Sequence, residues 1–126
     1  MKVIIAGSRT IWDYSIIDQA VFDSGFNVTE VVSGYAGGVD AVGEAWSLVN
    51  GLGYATPFRA DWNKYGLAAG HRRNRQMAEY AHALIAVWDG KSPGTKSMIK
   101  IAKKLGLKIY LKNLSKRETN GLFVDT

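Results

Sequence analysis

The residues best suited to bind a ligand are glycines, hydroxyls and charged side chains that follow predicted strands. The stretch 33–40, Ser-Gly-Tyr-Ala-Gly-Gly-Val-Asp, comes after a short β-branched run and before a helical pattern that begins near Val39. Glycines let the backbone turn tightly and approach a ligand closely. A helix N-terminus beyond them points unpaired N–H groups and a positive dipole end into the turn, which favours phosphate binding. An ordinary tight turn is the alternative.

A second stretch with the same properties is Ser92-Pro93-Gly94-Thr95, which opens another predicted helix. Thr95 can donate its hydroxyl and Gly94 its N–H to an anion. The alternative is an ordinary cap, with Ser92 at the N-cap and Pro93 at the first helical position. Two helix N-termini beside one crevice suit a ligand with two phosphates, or with a phosphate and a ribose.

Arginines are placed where they can bind phosphate oxygens. Arg9 follows the first predicted strand, and its guanidinium can bind two oxygens of one phosphate. Residues 70–75, Gly-His-Arg-Arg-Asn-Arg, place three arginines early in a predicted helix, where positive charge opposes the macrodipole. We therefore expect this cluster to bind an anion, with Arg73 and Asn74 on the inward side near Met77. A role at the surface only is the alternative for these arginines.

The carboxylates Asp40 and Asp89 have alternative roles. Both can accept hydrogen bonds from ribose hydroxyls, and Asp40 can instead stabilise the first turn of its helix through the dipole. Trp62, Tyr65 and Trp88 lie in or beside the same loops, where each can stack on a base but is more often a packing residue. No serine has a histidine placed to activate it, and no histidine has a metal-ligand spacing, so we expect no metal.

The elements that position these residues alternate between strand and helix. Apolar, β-branched runs predict strands over 2–6, 29–32, 54–58, 83–88 and 107–111, and helical periodicity predicts helices over 10–24, 39–50, 67–80 and 94–105. Asp13 is the predicted N-cap of the first helix, and Pro57 predicts an edge position for the third strand. The order βαβαβαβαβ predicts an α/β fold with three layers (αβα), whose five-stranded sheet is mostly parallel.

In such a sheet, ligands bind beyond the carboxyl ends of the strands. The loops at that edge contain the glycines, hydroxyls, arginines and carboxylates described above. The loops at the opposite edge, around 25–27, 51–53 and Gly106, are short and chemically plain. This asymmetry predicts one site, at the C-terminal edge of the sheet.

Composition limits the class of protein. The chain has 126 residues, of which 47% are hydrophobic, so we expect one globular domain over 1–112 and a loose or partner-dependent tail over 113–126. The absence of cysteine excludes disulfides and fits a reducing, cytoplasmic compartment, and no segment approaches the roughly 20 apolar residues of a membrane span. The net charge is +5, but the lysines after residue 95 recur at helical spacing, which favours a solvated helix face over a nucleic-acid surface.

Together these motifs resemble the YspA-like branch of the SLOG superfamily over residues 2–111. The resemblance rests on Gly7-Ser8-Arg9, the 33–40 stretch, Ala60-Asp61-Trp62, Tyr65-Gly66, Ala69-Gly70, Arg73-Asn74, Met77 and the 88–95 stretch. The superfamily is similar to a Rossmann fold and includes cytokinin-activating LOG phosphoribohydrolases, the DNA-processing protein DprA, and sensor domains for NAD-derived nucleotides such as ADP-ribose. Its members are frequent in bacteria and phages and often associate. The resemblance thus implies a Rossmann-like fold, a bacterial host cell and a homo-oligomer.

The resemblance also implies a nucleotide or NAD-derived ligand in the predicted crevice. The ligand-binding residues that it implies, taken with the candidates above, are Gly7, Ser8, Arg9, Ser33, Gly34, Tyr35, Gly37, Gly38, Asp40, Arg73, Asn74, Trp88, Asp89, Ser92, Gly94 and Thr95. Two positions depart from the family. LOG enzymes have a glutamate shortly after the Gly-Thr of the last loop, whereas Lys96-Ser97-Met98-Ile99 stand there in this chain. Tyr35 replaces a residue that is usually small, so a ligand either stacks on it or meets a narrower pocket.

Three functions follow as hypotheses. The first is a module that binds a nucleotide or ADP-ribose-like molecule without a resident cofactor, as a sensor or a sponge of a nucleotide signal, including in phage–host conflict. The second is an enzyme that cleaves a nucleotide's N-glycosidic or phosphate bond, with Asp40 or Asp89 as acid/base and Arg73 as electrostatic support. The third is a DprA-like nucleic-acid binder, against which the absence of a basic groove interleaved with aromatic residues argues. We expect no membrane partner.

Overall fold

Five strands form the central sheet of the computed structural model, which describes residues 1–115. They are β1 (Lys2–Gly7), β2 (Glu30–Ser33), β3 (Thr56–Pro57), β4 (Ala83–Trp88) and β5 (Lys108–Asn113). Their spatial order is β3-β2-β1-β4-β5, and every neighbouring pair is parallel. The sheet is therefore entirely parallel, where the sequence predicted a mostly parallel one, and its strand order is that of Rossmann-like folds.

Helices cover both faces of this sheet. They are α1 (Tyr14–Ser24), α2 (Val39–Val49), α3 (Trp62–Tyr65), α4 (Ala69–Tyr80) and α5 (Pro93–Lys104), with a 3₁₀ turn at Gly66–Ala68. Residues of α1 and α2 form one hydrophobic core with one face of the sheet, and residues of α4 and α5 form the other core. The predicted three-layer, Rossmann-like α/β fold is confirmed.

Side-chain alternation along the strands divides the core between the two layers. In β1, Val3 and Ile5 face α1 and α2, whereas Ile4 faces α4 and α5, and all three are fully buried. The same alternation occurs in β4, where Leu84 and Ile85 are fully buried on opposite faces. Because both faces are covered, these strands are continuously apolar, which explains why the range of β4 could be predicted.

The first two helices differ from their predicted ranges. Asp13 caps α1 by accepting a hydrogen bond from the Ser15 N–H at 2.9 Å, so the helix begins at Tyr14 rather than at residue 10. The second helix, α2, ends at Val49 rather than at residue 50, with Trp46 buried and Val49 73% exposed. The buried face includes Gly43, which packs against Ile5 of β1 and lets the helix approach the sheet.

The helix predicted over 67–80 is α4, which begins at Ala69 after the 3₁₀ turn, and the short helix α3 before it was not predicted. Asp61 starts α3 by accepting the Lys64 N–H at 3.1 Å. Gly66 ends it with φ 55° and ψ −131°, a conformation that other residues rarely adopt. A loop that the sequence treated as irregular is therefore a short helix that places Trp62 beside the C-terminal edge.

The last helix has the predicted solvated face. Exposed lysines lie opposite Met98 and Ile101, which are buried, whereas Leu105, which follows the last residue of the helix, is 36% exposed. The exposed lysines are Lys96, Lys100, Lys103 and Lys104.

The predicted domain boundary moves towards the C-terminus. Asn113 is the last residue of β5, and the Leu114 N–H donates to the Trp88 carbonyl at 2.8 Å. Leu114 also packs against the core, so 113–115 belong to the domain. The rest of the predicted tail, 116–126, lies outside the described residues. Within the described range, no helix combines the length and apolar character needed to cross a membrane.

Candidate functional site

A cleft of about 310 Å³ opens at the C-terminal edge of the sheet. The chain adds β2 and β3 on one side of β1 and places β4 and β5 on the other, so the strand order reverses between β1 and β4. Ligands of open parallel sheets bind at this reversal. The cleft is lined by Ala6, Gly7, Arg9, Thr10, Ala36, Asp40, Arg73, Asn74, Met77, Ser92, Pro93, Gly94, Thr95 and Met98.

The N-terminus of α5 forms one wall of the cleft. Ser92 occupies the N-cap position with Pro93 following, but its hydroxyl does not cap the helix. It is hydrogen-bonded instead to the Ser8 hydroxyl and the Asp89 carboxylate, both at 3.2 Å. The first turn of α5, with Gly94 and Thr95, therefore has no side-chain acceptor. The ordinary cap by the Ser92 hydroxyl, which the sequence left open as an alternative, is absent, and the N–H groups of this first turn face the cleft.

Asp89 holds the loop before α5 in place. Its Oδ1 accepts the backbone N–H groups of Lys91 and Ser92, each at 2.8 Å. These hydrogen bonds hold the pKa of Asp89 below its usual value. Its own N–H donates to the Ser8 hydroxyl at 2.9 Å. Asp89 does not line the cleft, and N–H groups of its own loop occupy its carboxylate, whereas its proposed role as acid/base stays a prediction.

The N-terminus of α2 reaches the same edge. Gly38 is its N-cap residue, with φ 65°, and an added Cβ would lie 2.5 Å from the carbonyl carbon of Arg9. Only glycine permits this contact between the start of α2 and the end of β1. The Val39 N–H donates to the Ser8 carbonyl at 3.2 Å, and Gly37 lies beside the ring of Trp12. Gly38 thus brings the 33–40 stretch into contact with Ser8 and Arg9.

Asp40 is the buried carboxyl of the cleft, with 5% of its surface exposed. Its Oδ2 accepts the Ala36 N–H at 3.2 Å. Burial raises the pKa of Asp40 to about 6, although this hydrogen bond and the charge of Arg73 act in the opposite direction. Asp40 therefore changes its protonation state close to neutral pH.

Arg73 is partly buried between neutral acceptors. Its Nη1 donates to the Gly34 carbonyl at 2.6 Å, and its Nε donates to the Asn74 Oδ1 at 3.0 Å. Asn74 in turn donates to the Gly94 carbonyl at 3.3 Å, so the arginine is tied to α5. Burial lowers the pKa of Arg73, the charge of Arg9 lowers it further, and Asp40 raises it.

The cleft has an excess of positive charge. Among the described residues, the only ion pair within 4.0 Å is that of Arg75 and Glu79, on the exposed side of α4. Arg9 and Arg73 therefore have no directly paired carboxylate. Across 1–115, no three histidine, aspartate or glutamate side chains form a metal-binding group. The chemistry of the cleft is that of guanidinium, hydroxyl, amide and N–H groups around one titrating carboxyl.

Half of the predicted binding residues line the cleft: Gly7, Arg9, Asp40, Arg73, Asn74, Ser92, Gly94 and Thr95. Gly34 and Tyr35 line a neighbouring cavity. The others line neither space. They are Ser8, Ser33, Gly37, Gly38, Trp88 and Asp89. For example, the Ser33 hydroxyl donates to the Glu44 carboxylate at 2.6 Å, and the Trp88 Nε1 donates to the Ser92 carbonyl at 3.1 Å.

The sequence analysis missed several lining residues. Thr10 and Ala36 adjoin predicted residues, and Met98 lies one helical turn after Thr95. Helical spacing from Thr95 was therefore a signal that could have identified Met98. Thr10 and Ala36 had no signal beyond their neighbours, because neither side chain has a distinctive chemistry.

No family model matches this chain, and no curated protein or solved structure matches it. The resemblance to the YspA-like branch therefore stays a sequence-based expectation. The function of the protein has to be inferred from the cleft itself.

Proposed function

We propose that the cleft binds a nucleotide or an NAD-derived, ADP-ribose-like molecule, with a phosphate between the N-terminus of α5 and Arg9. One observation supports this most: an α5 N-terminus without a side-chain cap lies on the same cleft as arginines without a paired carboxylate. A phosphate can bind the helix N-terminus and the arginines together, because its oxygens accept hydrogen bonds from N–H groups and from guanidinium groups.

The remaining lining residues suit the rest of a nucleotide. Asp40 and the Thr95 hydroxyl offer acceptors and a donor for ribose hydroxyls, while Ala36 and Pro93 are the accessible apolar lining residues that can contact a base. The volume of about 310 Å³ lies at the lower end of the roughly 300–1,000 Å³ typical of ligand pockets. A mononucleotide, or one half of a larger ligand, therefore suits its size.

In this proposal the protein is a binding module of the YspA-like kind that captures a nucleotide signal as a sensor or a sponge, including in phage–host conflict. The motifs quoted above support the assignment. Capture without turnover also fits a cleft whose described lining includes no nucleophile paired with a histidine base.

Calorimetry with AMP, ADP-ribose and adenosine tests the proposal. We expect the two phosphorylated ligands to bind and adenosine to bind at least about tenfold more weakly. Arg9→Ala should weaken AMP binding roughly 10- to 100-fold, since a hydrogen bond to a charged group contributes about 1.5–3 kcal/mol. Arg75→Ala, which removes an arginine paired with Glu79 outside the cleft, is the matched control. Equal affinities for AMP and adenosine, or wild-type affinity in Arg9→Ala, would contradict the proposal.

A hydrolase is the second candidate, and the titration of Asp40 favours it. A buried carboxyl with a pKa of about 6 can act as a general acid or base near neutral pH, and Arg73 can stabilise developing negative charge. The LOG-type glutamate after Gly94-Thr95 is absent, which argues against this activity. Incubation with AMP and NAD, followed by chromatography for free base, distinguishes the two functions. Release by the wild type but not by Asp40→Asn would identify a hydrolase.

A further inference from the structure

A second cavity, of about 230 Å³, adjoins the cleft. Arg9, Ala36 and Arg73 line both spaces, so the two meet at these residues. The second cavity extends from there towards Arg59 and Trp62, which follow β3. A ligand larger than a mononucleotide can therefore occupy both spaces at once.

The lining of the second cavity is positively charged. It includes Arg9, Arg59 and Arg73 and no acidic residue. None of these three is in an ion pair within the described part of the chain. Asp61, the nearest carboxylate along the sequence, accepts the Lys64 N–H as the cap of α3. Clustered cations without a direct ion pair repel one another, and a bound anion relieves that repulsion.

Tyr35 holds Arg59 at this cavity. The guanidinium carbon of Arg59 lies 4.4 Å from the centroid of the Tyr35 ring, which is a cation–π contact. Tyr35 has φ 57°, a left-handed conformation that is unfavourable for a residue with a large side chain. The Tyr35 N–H donates to the Ser33 hydroxyl at 3.1 Å and fixes this turn. The tyrosine that departs from the family pattern therefore positions a third arginine beside the cleft.

We propose that the second cavity binds a second phosphate group of the same ligand, with Arg59 as its specific contact and Arg9 and Arg73 between the two phosphates. The inference rests on the proposed function and narrows it. The ligand is then a nucleotide with at least two phosphate groups, and AMP occupies only the cleft.

Arg59→Gln separates the two cavities. Arg59 is exposed and lines only the second one, so the variant should fold as the wild type does, which thermal melting checks. The probes are AMP, ADP-ribose, whose phosphates are adjacent, and the dinucleotide pApA, whose phosphates are separated by a nucleoside. We expect Arg59→Gln to lower the affinity for ADP-ribose or pApA about tenfold and to change the affinity for AMP by no more than about twofold. Calorimetry measures both affinities.

Arg72→Gln is the matched control, because Arg72 also lies over a tyrosine, 4.0 Å from the Tyr65 ring, but lines neither cavity. It should leave all affinities unchanged. Tyr35→Asn keeps a residue that tolerates the left-handed turn and removes the support of Arg59, so it should weaken the same ligand as Arg59→Gln does, but less.

If Arg59→Gln leaves both two-phosphate ligands unchanged, or weakens AMP as much, the second cavity is not a phosphate subsite. Binding of AMP to the wild type would still uphold the proposed function in that case. If the wild type binds none of the probes, the proposed function and this inference are both overturned.

Discussion

The two edges of the sheet differ in the contacts that their charged side chains make. At the N-terminal edge, the Glu30 carboxylate accepts hydrogen bonds from the hydroxyls of Tyr80 and, at 2.7 Å, Thr56. The Lys2 ammonium lies 4.1 Å from the Tyr80 ring, and the Lys2 N–H donates to the His82 Nδ1 at 3.0 Å. The carboxylate and the ammonium at this edge therefore both contact Tyr80.

At the C-terminal edge, by contrast, Arg73 donates to a carbonyl and an amide, and Arg9 and Arg59 have no paired carboxylate among the described residues. Positive charge is concentrated there without a direct ion pair among the described residues. We therefore expect one edge to support stability and the other to support binding. Substitutions at the first should change unfolding alone, and those at the second should change ligand affinity most.

Gly94→Trp should have the largest effect on binding. Gly94 lines the cleft at the first turn of α5, and an added Cβ meets no atom within 4 Å. The indole can therefore occupy ligand space without displacing the backbone. We expect AMP affinity to fall about 100-fold or more while the melting temperature stays close to that of the wild type.

Gln76→Trp, on the exposed side of α4, adds the same ring away from the cleft and should bind AMP normally. Wild-type affinity in Gly94→Trp, measured by calorimetry, would show that the ligand lies elsewhere.

Asp40→Asn should have an intermediate effect, on the pH dependence of stability. Burial raises the pKa of Asp40 from its usual 3.8 to about 6, so the folded protein binds this proton more tightly than the unfolded chain. The stability of the wild type should therefore fall as the pH rises from about 4 to 6 and then level off.

Asparagine does not titrate, so Asp40→Asn removes this contribution to the pH dependence of stability. The variant should match the wild type near pH 4 and gain on the order of 2 kcal/mol over it above pH 6. Urea denaturation across this range measures the difference. A difference that does not change with pH would show that Asp40 does not titrate there.

Tyr80→Phe should have the smallest effect, and it tests the role of the N-terminal edge. The Tyr80 hydroxyl is the main cause of the lowered pKa of Glu30. Its loss should lower the melting temperature by about 2 °C at pH 7, a small change because the pair is only partly buried.

A carboxylate with a lowered pKa stabilises the fold above its usual pKa of 4.5, and this contribution is lost as Glu30 becomes protonated below it. The two proteins should therefore melt alike in acid. AMP affinity should not change, and a binding defect in Tyr80→Phe would break the division between the edges.

Much of the fold and the location of the site could be predicted from the sequence. The apolar run of β4 predicted both of its ends, because a strand covered on both faces has one continuous pattern. The convergence of Arg9, Asp40 and Thr95 followed from topology, since parallel strands bring their carboxyl ends to one edge. Whether those residues bind a nucleotide stays a prediction.

What the sequence did not predict depends on contacts between distant residues or on local capping. The short helix α3 depends on the Asp61 cap and on Gly66, and its four residues are too few to show a helical periodicity. Asp89 has the residue type of a catalytic group, but backbone N–H groups of its own loop occupy its carboxylate. The stacking of Arg59 on Tyr35 requires the pairing of β2 with β3, which spacing alone does not reveal.

The most direct test of nucleotide binding at the C-terminal edge is a titration of AMP into ¹⁵N-labelled protein, followed by amide NMR spectra. We expect the largest shifts at Gly94, Thr95 and Ala36, with the amides of Glu30 and His82 at the opposite edge unchanged. Absence of shifts at saturating AMP, or shifts confined to the N-terminal edge, would contradict the proposed site.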